Sequence, residues 1–392
     1  MSDHQFEIVQ QVPYRIGFTH YAFDSNNSAL IDLIAPSPQG KVLVFVEKVL
    51  LQQDESLQGA IETYFSTHLL EASLFMGVKS MKGGEKAKND FTSWLDALSA
   101  ISQAGLDRHS TILVVGGGAL LDVIGFAAAT AHRGIRLVRL PSTTLSQADS
   151  GVGVKNGINY EGQKNYLGTF AVPWATLNDF TLLHSQPEEL KRAGLVEIVK
   201  VALIKDEGFF VWLENNHLDL YNGVASAMEH AVEKSALLHA KHIAEGGDPF
   251  EQGSSRPLDF GHWAAHYLET LSDYRISHAE AVAVGICLDV LYSAGLSWLN
   301  ESDAKRIITL IRRLGFQIFD PLLLKEEDGE LCILRGLESF REHLGGELTV
   351  LMLQKIGQGC DVHVIDHELM AQCINTLSAY SHTQIYEIGV AQ

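Results

Sequence analysis

The sequence predicts an α/β domain of mostly parallel strands followed by a mostly α-helical domain. The first half alternates short apolar runs with amphipathic stretches, including a strand–helix–strand unit of about 30 residues. From Pro187 onward the apolar spacing becomes helical. The chain has 392 residues, 46% of them hydrophobic. That is too long for one compact core and predicts two domains, 1–183 and 184–392.

"KVLVFVE" (41–47), "TILVVGGG" (111–118) and "GIRLVRLP" (134–141) read as buried strands, the last stopped by its proline. The alanine-rich "ALLDVIGFAAATAHR" (119–133) reads as the crossover helix between the last two. In the second half, "PEELKRAGLVEIVKVALIK", "GVASAMEHAVEKSALLHAKHIA", "GHWAAHYLETL", "AEAVAVGICLDVLYSAGL" and "DAKRIITLIRRLG" read as helices. Pro187 suits a first helical turn, with Glu188 and Glu189 near its positive end. The last 60 or so residues mix helix and short strand. There is no internal repeat and no low-complexity linker, so the two domains are expected to share an interface with a cleft.

Composition removes several classes. A formal net charge of −19 argues against a general nucleic-acid binder. It leaves room for an anionic small substrate, because a few clustered cations can reverse the local field. Cys287, Cys332, Cys360 and Cys373 form no CxxC pair and read as reduced residues. The N-terminal stretch lacks an apolar signal core, and no apolar run of about 18 residues occurs. The expected location is cytoplasmic, with neither membrane nor nucleic acid as partner.

"VVGGGALLD" (114–122) takes an apolar strand through glycines into a helix. Such a turn admits a pyrophosphate at a helix N-terminus, or is simply tight; without a full GxGxxG both readings stay open. Glu47, at the end of an earlier strand, could accept ribose hydroxyls. Downstream, Ser142, Thr143, Asp149, Lys155, Lys164 and Asn165 fall in glycine-rich segments that read as loops. Two Lys-Asn pairs there suit hydroxyl and phosphate recognition, although ordinary polar loops look the same.

His262 and His266 stand at i and i+4 on one helix face, and His278 starts the next helix after a turn. The spacing can hold zinc, but Trp263 occupies the position where a metalloprotease needs its glutamate. Glu197 is an acid amid apolar residues, with Lys200 at i+3. It is either half of a surface salt bridge or a buried ligand.

Together these residues resemble the sugar phosphate cyclases, the superfamily of 3-dehydroquinate synthase. The resemblance spans 84–357 and rests on "GGEKAK", "GGGALLDVIGFAAATAHRG", "PSTTLSQADSGVGVKNGIN", "GQKNYLGTF", "AGLVEIVK", "DFGHWAAH", "SHAEAVAVG" and "GGELTVLMLQKIG", in order. It implies a Rossmann-like NAD-binding domain, a helical domain, and an active site between them. It implies a zinc or cobalt ion on Glu197, His262 and His278, with His266 facing substrate instead of metal. Glu85, Lys88, Gly117, Gly118, Asp122, Ser142 and Thr143 match NAD contacts, and Glu47 matches more weakly. Asp149, Lys155, Lys200, Lys241, Glu251 and His266 match catalytic positions. Lys164, Asn165, Arg256 and Asp259 match substrate-binding positions. Arg133 matches an arginine that reaches a phosphate from the neighbouring subunit, which implies a homodimer. The implied reaction is that of a carbon–oxygen lyase: transient oxidation of a ring carbinol by NAD, β-elimination of phosphate, reduction, ring opening and intramolecular aldol closure.

Four departures from dehydroquinate synthase bear on the substrate. Asp259 stands where those enzymes have asparagine, and Ser255 where they have arginine, with Arg256 beside it. "VKNGIN" replaces a Lys-Thr segment, and "REHLGGEL" replaces a Lys-Lys segment. An added carboxylate and lost cations suit a neutral polyol end better than a carboxylate. "VKNGIN", Asp259 and "HLGGEL" resemble the 2-epi-5-epi-valiolone synthase branch, which cyclises sedoheptulose 7-phosphate, whereas His266 keeps the dehydroquinate synthase pattern. The mixture is similar to the dehydroquinate synthase-like proteins of ebo gene clusters. The expected activity is cyclisation of a sedoheptulose 7-phosphate-like substrate. The alternatives are a true 3-dehydroquinate synthase and, in another class, an NAD- and metal-dependent polyol dehydrogenase.

Overall fold

The computed structural model describes residues 3–6, 11–34, 40–89, 91–161 and 163–382. Part of the N-terminal stretch read above for a signal core lies outside them. The chain divides into two compact units, Met1–Ser185 and Gln186–Gln392.

The first unit contains β1 (Ile16–Thr19), α1 (Ala29–Ile34), β2 (Val42–Glu47), α2 (Lys48–Gln53), α3 (Leu57–His68), β3 (Phe75–Met81) and α4 (Phe91–Gln103). It continues through β4 (Thr111–Gly116), α5 (Gly118–Thr130), β5 (Arg136–Pro141), β6 (Lys155–Tyr160), β7 (Gln163–Phe170) and β8 (Ala175–Asp179). Among the described residues, six strands form one sheet in the order β1-β8-β5-β4-β2-β3, with every neighbouring pair parallel. Their unbroken apolar sequence follows from burial on both faces. Val42, Val44 and Val46 face Ile61, Tyr64 and Phe65, whereas Leu43 and Phe45 face Ile101, Leu121 and Ile124. The three strands read from sequence are β2, β4 and β5, and the crossover helix is α5.

The glycine-rich segments read as loops are more ordered. Residues Ser146–Ser150 form a π-helical turn, and β6 and β7 pair as an antiparallel hairpin. Lys155, Lys164 and Asn165 therefore sit on strands. The small residues that suggested loops serve close approach: a Cβ on Gly157 would lie 2.8 Å from the Leu167 carbonyl oxygen.

The second unit contains α6 (Glu188–Ala193), α7 (Leu195–Lys205), α8 (Glu207–Asn215), α9 (His217–Tyr221), α10 (Ala225–Glu245), α11 (His262–Leu271), α12 (His278–Gly295) and α13 (Glu301–Arg313). Then follow β9 (Glu326–Glu327), β10 (Glu330–Leu331), α14 (Arg335–His343), β11 (Val350–Lys355), β12 (Gln358–Val362) and α15 (His367–His382). Strands β9–β10 and β11–β12 are short antiparallel pairs, consistent with the mixed character read for this end. The single helix read over 187–205 is two helices that meet at Gly194. No residue of α6 is buried, whereas Leu195–Ile204 are all buried, so the break lets the second helix enter the core. Pro187 is the N-cap, one position ahead of the first turn. The four cysteines are unpaired. Among the described residues no helix is long and apolar enough to cross a membrane.

Glycine sets how closely α11 meets α12. Gly261, at φ 80°, caps α11, and a Cβ on Gly285 would lie 1.9 Å from the Gly261 oxygen. Gly285→Ala should therefore cost about 1–3 kcal/mol or more. Gly59→Ala, in a helix with nothing within 4 Å of the new methyl, should gain about 0.4–1 kcal/mol. Urea unfolding of both variants checks the pair.

Lys205, at the end of α7, donates to His242 Nδ1 at 3.1 Å. Burial, then Lys205, pushes the His242 imidazole down to about 4. A base depressed on folding contributes stability that is present above its unfolded value near 6.5 and lost as pH falls toward 4. Between those values unfolding should take up as much as one extra proton, and His242→Gln should remove that uptake in urea titrations at pH 7 and pH 4.5.

Candidate active site

Two clusters gather many of the residues singled out from sequence, one in each unit, whereas Arg133 and Lys241 are exposed side chains that no described contact ties to either. In the first unit, the strand order reverses direction between β2 and β4, a topological switch point where α/β sheets bind ligands at the carboxyl ends of strands. Glu47 ends β2, and the glycine turn ends β4. Glu47 Oε2 accepts a hydrogen bond from Gly117 N at 2.7 Å. A Cβ on Gly83 would lie 1.8 Å from Glu47 Oε1, one on Gly116 3.0 Å from Oε2, and one on Gly118 2.6 Å from Ser150 Oγ. These glycines make a cradle around a carboxylate at the N-terminus of α5. The cradle has the parts a dinucleotide site needs, glycine backbone at a helix N-terminus with an acid at hand, although Glu47 itself takes the Gly117 amide. Ser142 N donates to the Gly116 oxygen at 2.9 Å, and Thr143 Oγ1 bonds Ser146 Oγ at 2.8 Å, fixing the loop beside the turn.

Lys88 joins Asp122 at 2.7 Å and also donates to Asn165 Oδ1. Burial raises the Asp122 carboxyl, and Lys88 opposes it. Asn159 completes the set by accepting from Asn165 N at 2.8 Å and donating to Glu85 Oε1 at 3.3 Å. Glu85, Lys88, Asp122 and Asn165 thus form one network, with Asn159 as a member the sequence reading missed.

Arg139 was missed as well. Its guanidinium, fully buried, donates to the oxygens of Gly151 (3.2 Å), Gly153 (2.6 Å) and Lys155 (3.3 Å) and to Asn156 Oδ1 (2.5 Å). It shapes the segment between Asp149, half-buried in the π-helical turn, and Lys155, exposed at the start of β6. An arginine inside an apolar strand gives no sequence sign of this task. Lys164 lies half-buried on β7. Arg133 is exposed, at φ 61°, next to His132 at φ 51°. Together with Phe170 and Thr169 it lines a cavity of about 330 Å³.

In the second unit, α7, α11 and α12 converge on Glu197, which is 1% exposed. Glu197 Oε1 lies 3.7 Å from His262 Nε2 and 3.5 Å from His278 Nε2. Tetrahedral ligands on bonds of about 2.1 Å stand roughly 3.4 Å apart, so this donor set fits a divalent metal with one position open. The Glu197–Lys200 pair seen in sequence exists at 2.5 Å, but in the interior: Lys200 is also buried. Burial alone would raise the Glu197 carboxyl, but Lys200, His278 and His262 outweigh it and hold the group well below the usual carboxylate range.

Local structure aims the imidazoles. Ser277 and Glu280 form a capping box that makes His278 the first residue of α12. His262 Nδ1 bonds the Phe260 oxygen at 3.1 Å, turning Nε2 toward Glu197. His278 Nδ1 bonds Glu269 Oε2 at 3.3 Å, which does the same for that ring. Burial pushes His262 down; on His278 it acts in the same direction but is overcome by Glu197 and Glu269, which bring the ring up to about 9. Glu269, 4% exposed, was missed from sequence, although its place seven residues after His262 puts it on the same helix face.

His266 is the most exposed of the three histidines and lies 5.3 Å, ring to ring, from His262. With Glu269 and His278 it forms a second group whose donor atoms lie within 4.8 Å, so the metal-ligand alternative for His266 has geometric support too. Glu251, Arg256 and Asp259 occupy the segment leading into α11. Arg256 Nε pairs with Glu251 Oε2 at 2.9 Å, and its fork also donates to the oxygens of Glu251, Gly253 and Ser255. Asp259 ends a short 3-10 turn three residues before His262, and Ser255 lies in the same segment. Lys241 is exposed on α10 and pairs with Glu245 at 3.9 Å.

Residues 78–193 match the 3-dehydroquinate synthase N-terminal family, and residues 194–327 match the 3-dehydroquinate synthase C-terminal family. The 3-dehydroquinate synthase of Pelotomaculum thermopropionicum is 35% identical over 79% of this chain and 82% of its own. The 2-epi-5-epi-valiolone synthase of Streptomyces glaucescens is 31% identical over 94% of this chain and 92% of its own. In fold, the chain is similar to the 2-epi-5-epi-valiolone synthase ValA of Streptomyces hygroscopicus, described with NAD+ and Zn2+ bound (TM-score 0.83, 24% identity, 96% of this chain and 100% of that one). A 2-deoxy-scyllo-inosose synthase complexed with carbaglucose-6-phosphate, NAD+ and Co2+ gives a TM-score of 0.73 at 21% identity, over 92% of this chain and 96% of that one. The chain belongs to the 3-dehydroquinate synthase family, within the sugar phosphate cyclase superfamily.

Proposed function

We propose that the protein is an NAD- and metal-dependent sugar phosphate cyclase that converts a sedoheptulose 7-phosphate-like heptulose 7-phosphate to a carbocycle and inorganic phosphate. The observation that carries the metal-dependent chemistry is the Glu197–His262–His278 donor set, built around a buried carboxylate. NAD supplies a hydride acceptor that is restored within the cycle, and the metal supplies a Lewis acid for a carbinol oxygen. Glu197, His262 and His278 hold the metal, and Glu269 and the Phe260 carbonyl orient the imidazoles. Lys200 balances the carboxylate charge and offers an ammonium beside the reacting oxygens. Glu47, Gly117, Gly118, Ser142 and Thr143 take the dinucleotide, with the Glu85–Lys88–Asp122 network steadying its bed. Lys155, Lys164 and Asn165 supply phosphate and hydroxyl contacts. Asp149, His266, Lys241 and Glu251 are the candidates for moving protons. One C–O bond to phosphate breaks and one C–C bond forms, with no net change in oxidation state.

Asp259 and Ser255 favour a substrate with a neutral polyol end, since a carboxylate there would meet an acid and lack its arginine partner. The second reading, a true 3-dehydroquinate synthase, is favoured by His266 and by the 35% identity to that enzyme. Purified protein with NAD+ and Co2+ should release phosphate from sedoheptulose 7-phosphate and not from 3-deoxy-arabino-heptulosonate 7-phosphate. The reverse result makes it a shikimate enzyme. NADH accumulating without phosphate would instead indicate a polyol dehydrogenase.

The same reading makes the protein a homodimer in which Arg133 serves the neighbouring site. Arg133 projects from a left-handed turn beside the exposed side chain of Phe170, a costly conformation for non-glycine residues. Subunits carrying Arg133→Ala and Glu197→Ala, each inactive alone, should regain about a quarter of wild-type activity after exchange at equal amounts, because half the dimers hold one intact site. No recovery after verified exchange would place Arg133 in its own subunit's site.

A further inference from the structure

Asp289 lies in the middle of α12, fully buried, and no step of the proposed chemistry uses it. Burying a carboxylate is expensive unless donors are aimed at it. Here both oxygens are used: Oδ2 accepts from Gly261 N at 2.9 Å, and Oδ1 accepts from Trp263 Nε1 at 2.7 Å. These two donors belong to the residues immediately before and after His262. The Asp289 backbone is fixed in turn, because its oxygen accepts from Ser293 Oγ at 2.7 Å and Ser293 Oγ accepts from Leu353 N of β11 at 3.0 Å. A rigid path therefore runs from β11 through Ser293 and Asp289 to both flanks of His262.

The first turn of α11 needs such a hold. Its N-cap is Gly261 in the left-handed region, with no side chain to cap the helix. The Gly261–Gly285 contact sets the distance between the helices but not the rotation of α11 about its own axis. Two hydrogen bonds, one on the backbone and one on the indole, fix that rotation, and with it the direction in which the His262 ring leaves the helix.

We propose that Asp289 is a positioning residue for the metal centre, fixing His262 through Gly261 N and Trp263 Nε1. The inference rests on the metal reading above and assigns a residue outside the ligand set. It predicts a result that a purely structural carboxylate would not give. In Asp289→Asn the amide can accept from one donor, but its NH2 must face the other N–H. Trp263→Phe removes one of those donors, so the double variant relieves the conflict.

The test is Co2+ affinity by absorption titration on the full chain, with folding followed by circular dichroism. Asp289→Asn should weaken Co2+ about ten- to hundredfold, the range for groups that orient metal ligands. Trp263→Phe alone should weaken it about three- to tenfold, and the double variant should bind more tightly than Asp289→Asn. Wild-type affinity in folded Asp289→Asn, or losses that simply add in the double variant, would overturn the proposal. If Asp289→Asn does not fold, unchanged affinity in Trp263→Phe overturns it instead. Absence of Co2+ binding by the wild-type protein would refute the metal reading itself, and the inference with it.

Discussion

The second unit is organised around one costly choice, an ionised carboxylate at Glu197 that is 1% exposed. Such a charge survives in a protein interior only with compensation from several directions. Lys200 supplies one, a turn away on the same helix. His262 and His278 supply the others, from the first turns of two further helices. Each must arrive at the right angle, and much of the local architecture secures that. Gly194 admits α7 to the core, the Ser277–Glu280 box starts α12 at His278, and the Gly261–Gly285 contact brings α11 against α12.

The first unit answers a different requirement, which is to bring a strand end, a helix start and an acid into close contact. At the β2–β4 switch point the glycines clear space and Glu47 occupies one amide of the turn. Arg139 makes a comparable trade in reverse. It buries a guanidinium in order to gather three carbonyl oxygens of the segment joining Asp149 to Lys155 and the Asn156 side chain just beyond it. In both units, charge is buried where a loop or helix end must be held rather than merely packed.

The legible parts of this protein were those with a period. Uninterrupted apolar runs gave β2, β4 and β5, and helical spacing gave the second unit, because burial of both sheet faces or of one helix stripe writes itself into local sequence. Glu197 stood out as an acid amid apolar neighbours, and His262 and His266 stood out by their spacing, whereas the choice of His278 over His266 as ligand came only with the family resemblance. What sequence could not supply was partnership across elements. Asn159, Arg139 and Asp289 each act on residues of other elements, so no local pattern marks them; Glu269 carries a faint one, its place on the His262 face of α11. The β6–β7 hairpin was hidden for a related reason: glycines that permit two strands to touch look the same, in one dimension, as glycines that permit a turn.

The most direct measurement of the central claim is X-ray absorption on the zinc-loaded protein. The spectrum should show one metal per chain with two imidazole nitrogens and one carboxylate oxygen at about 2.0–2.2 Å, plus an exchangeable oxygen. Loss of one imidazole in His262→Ala, with an unchanged shell in His266→Ala, completes the prediction. A shell that loses an imidazole only in His266→Ala would place the metal on the His266–Glu269–His278 group and contradict it.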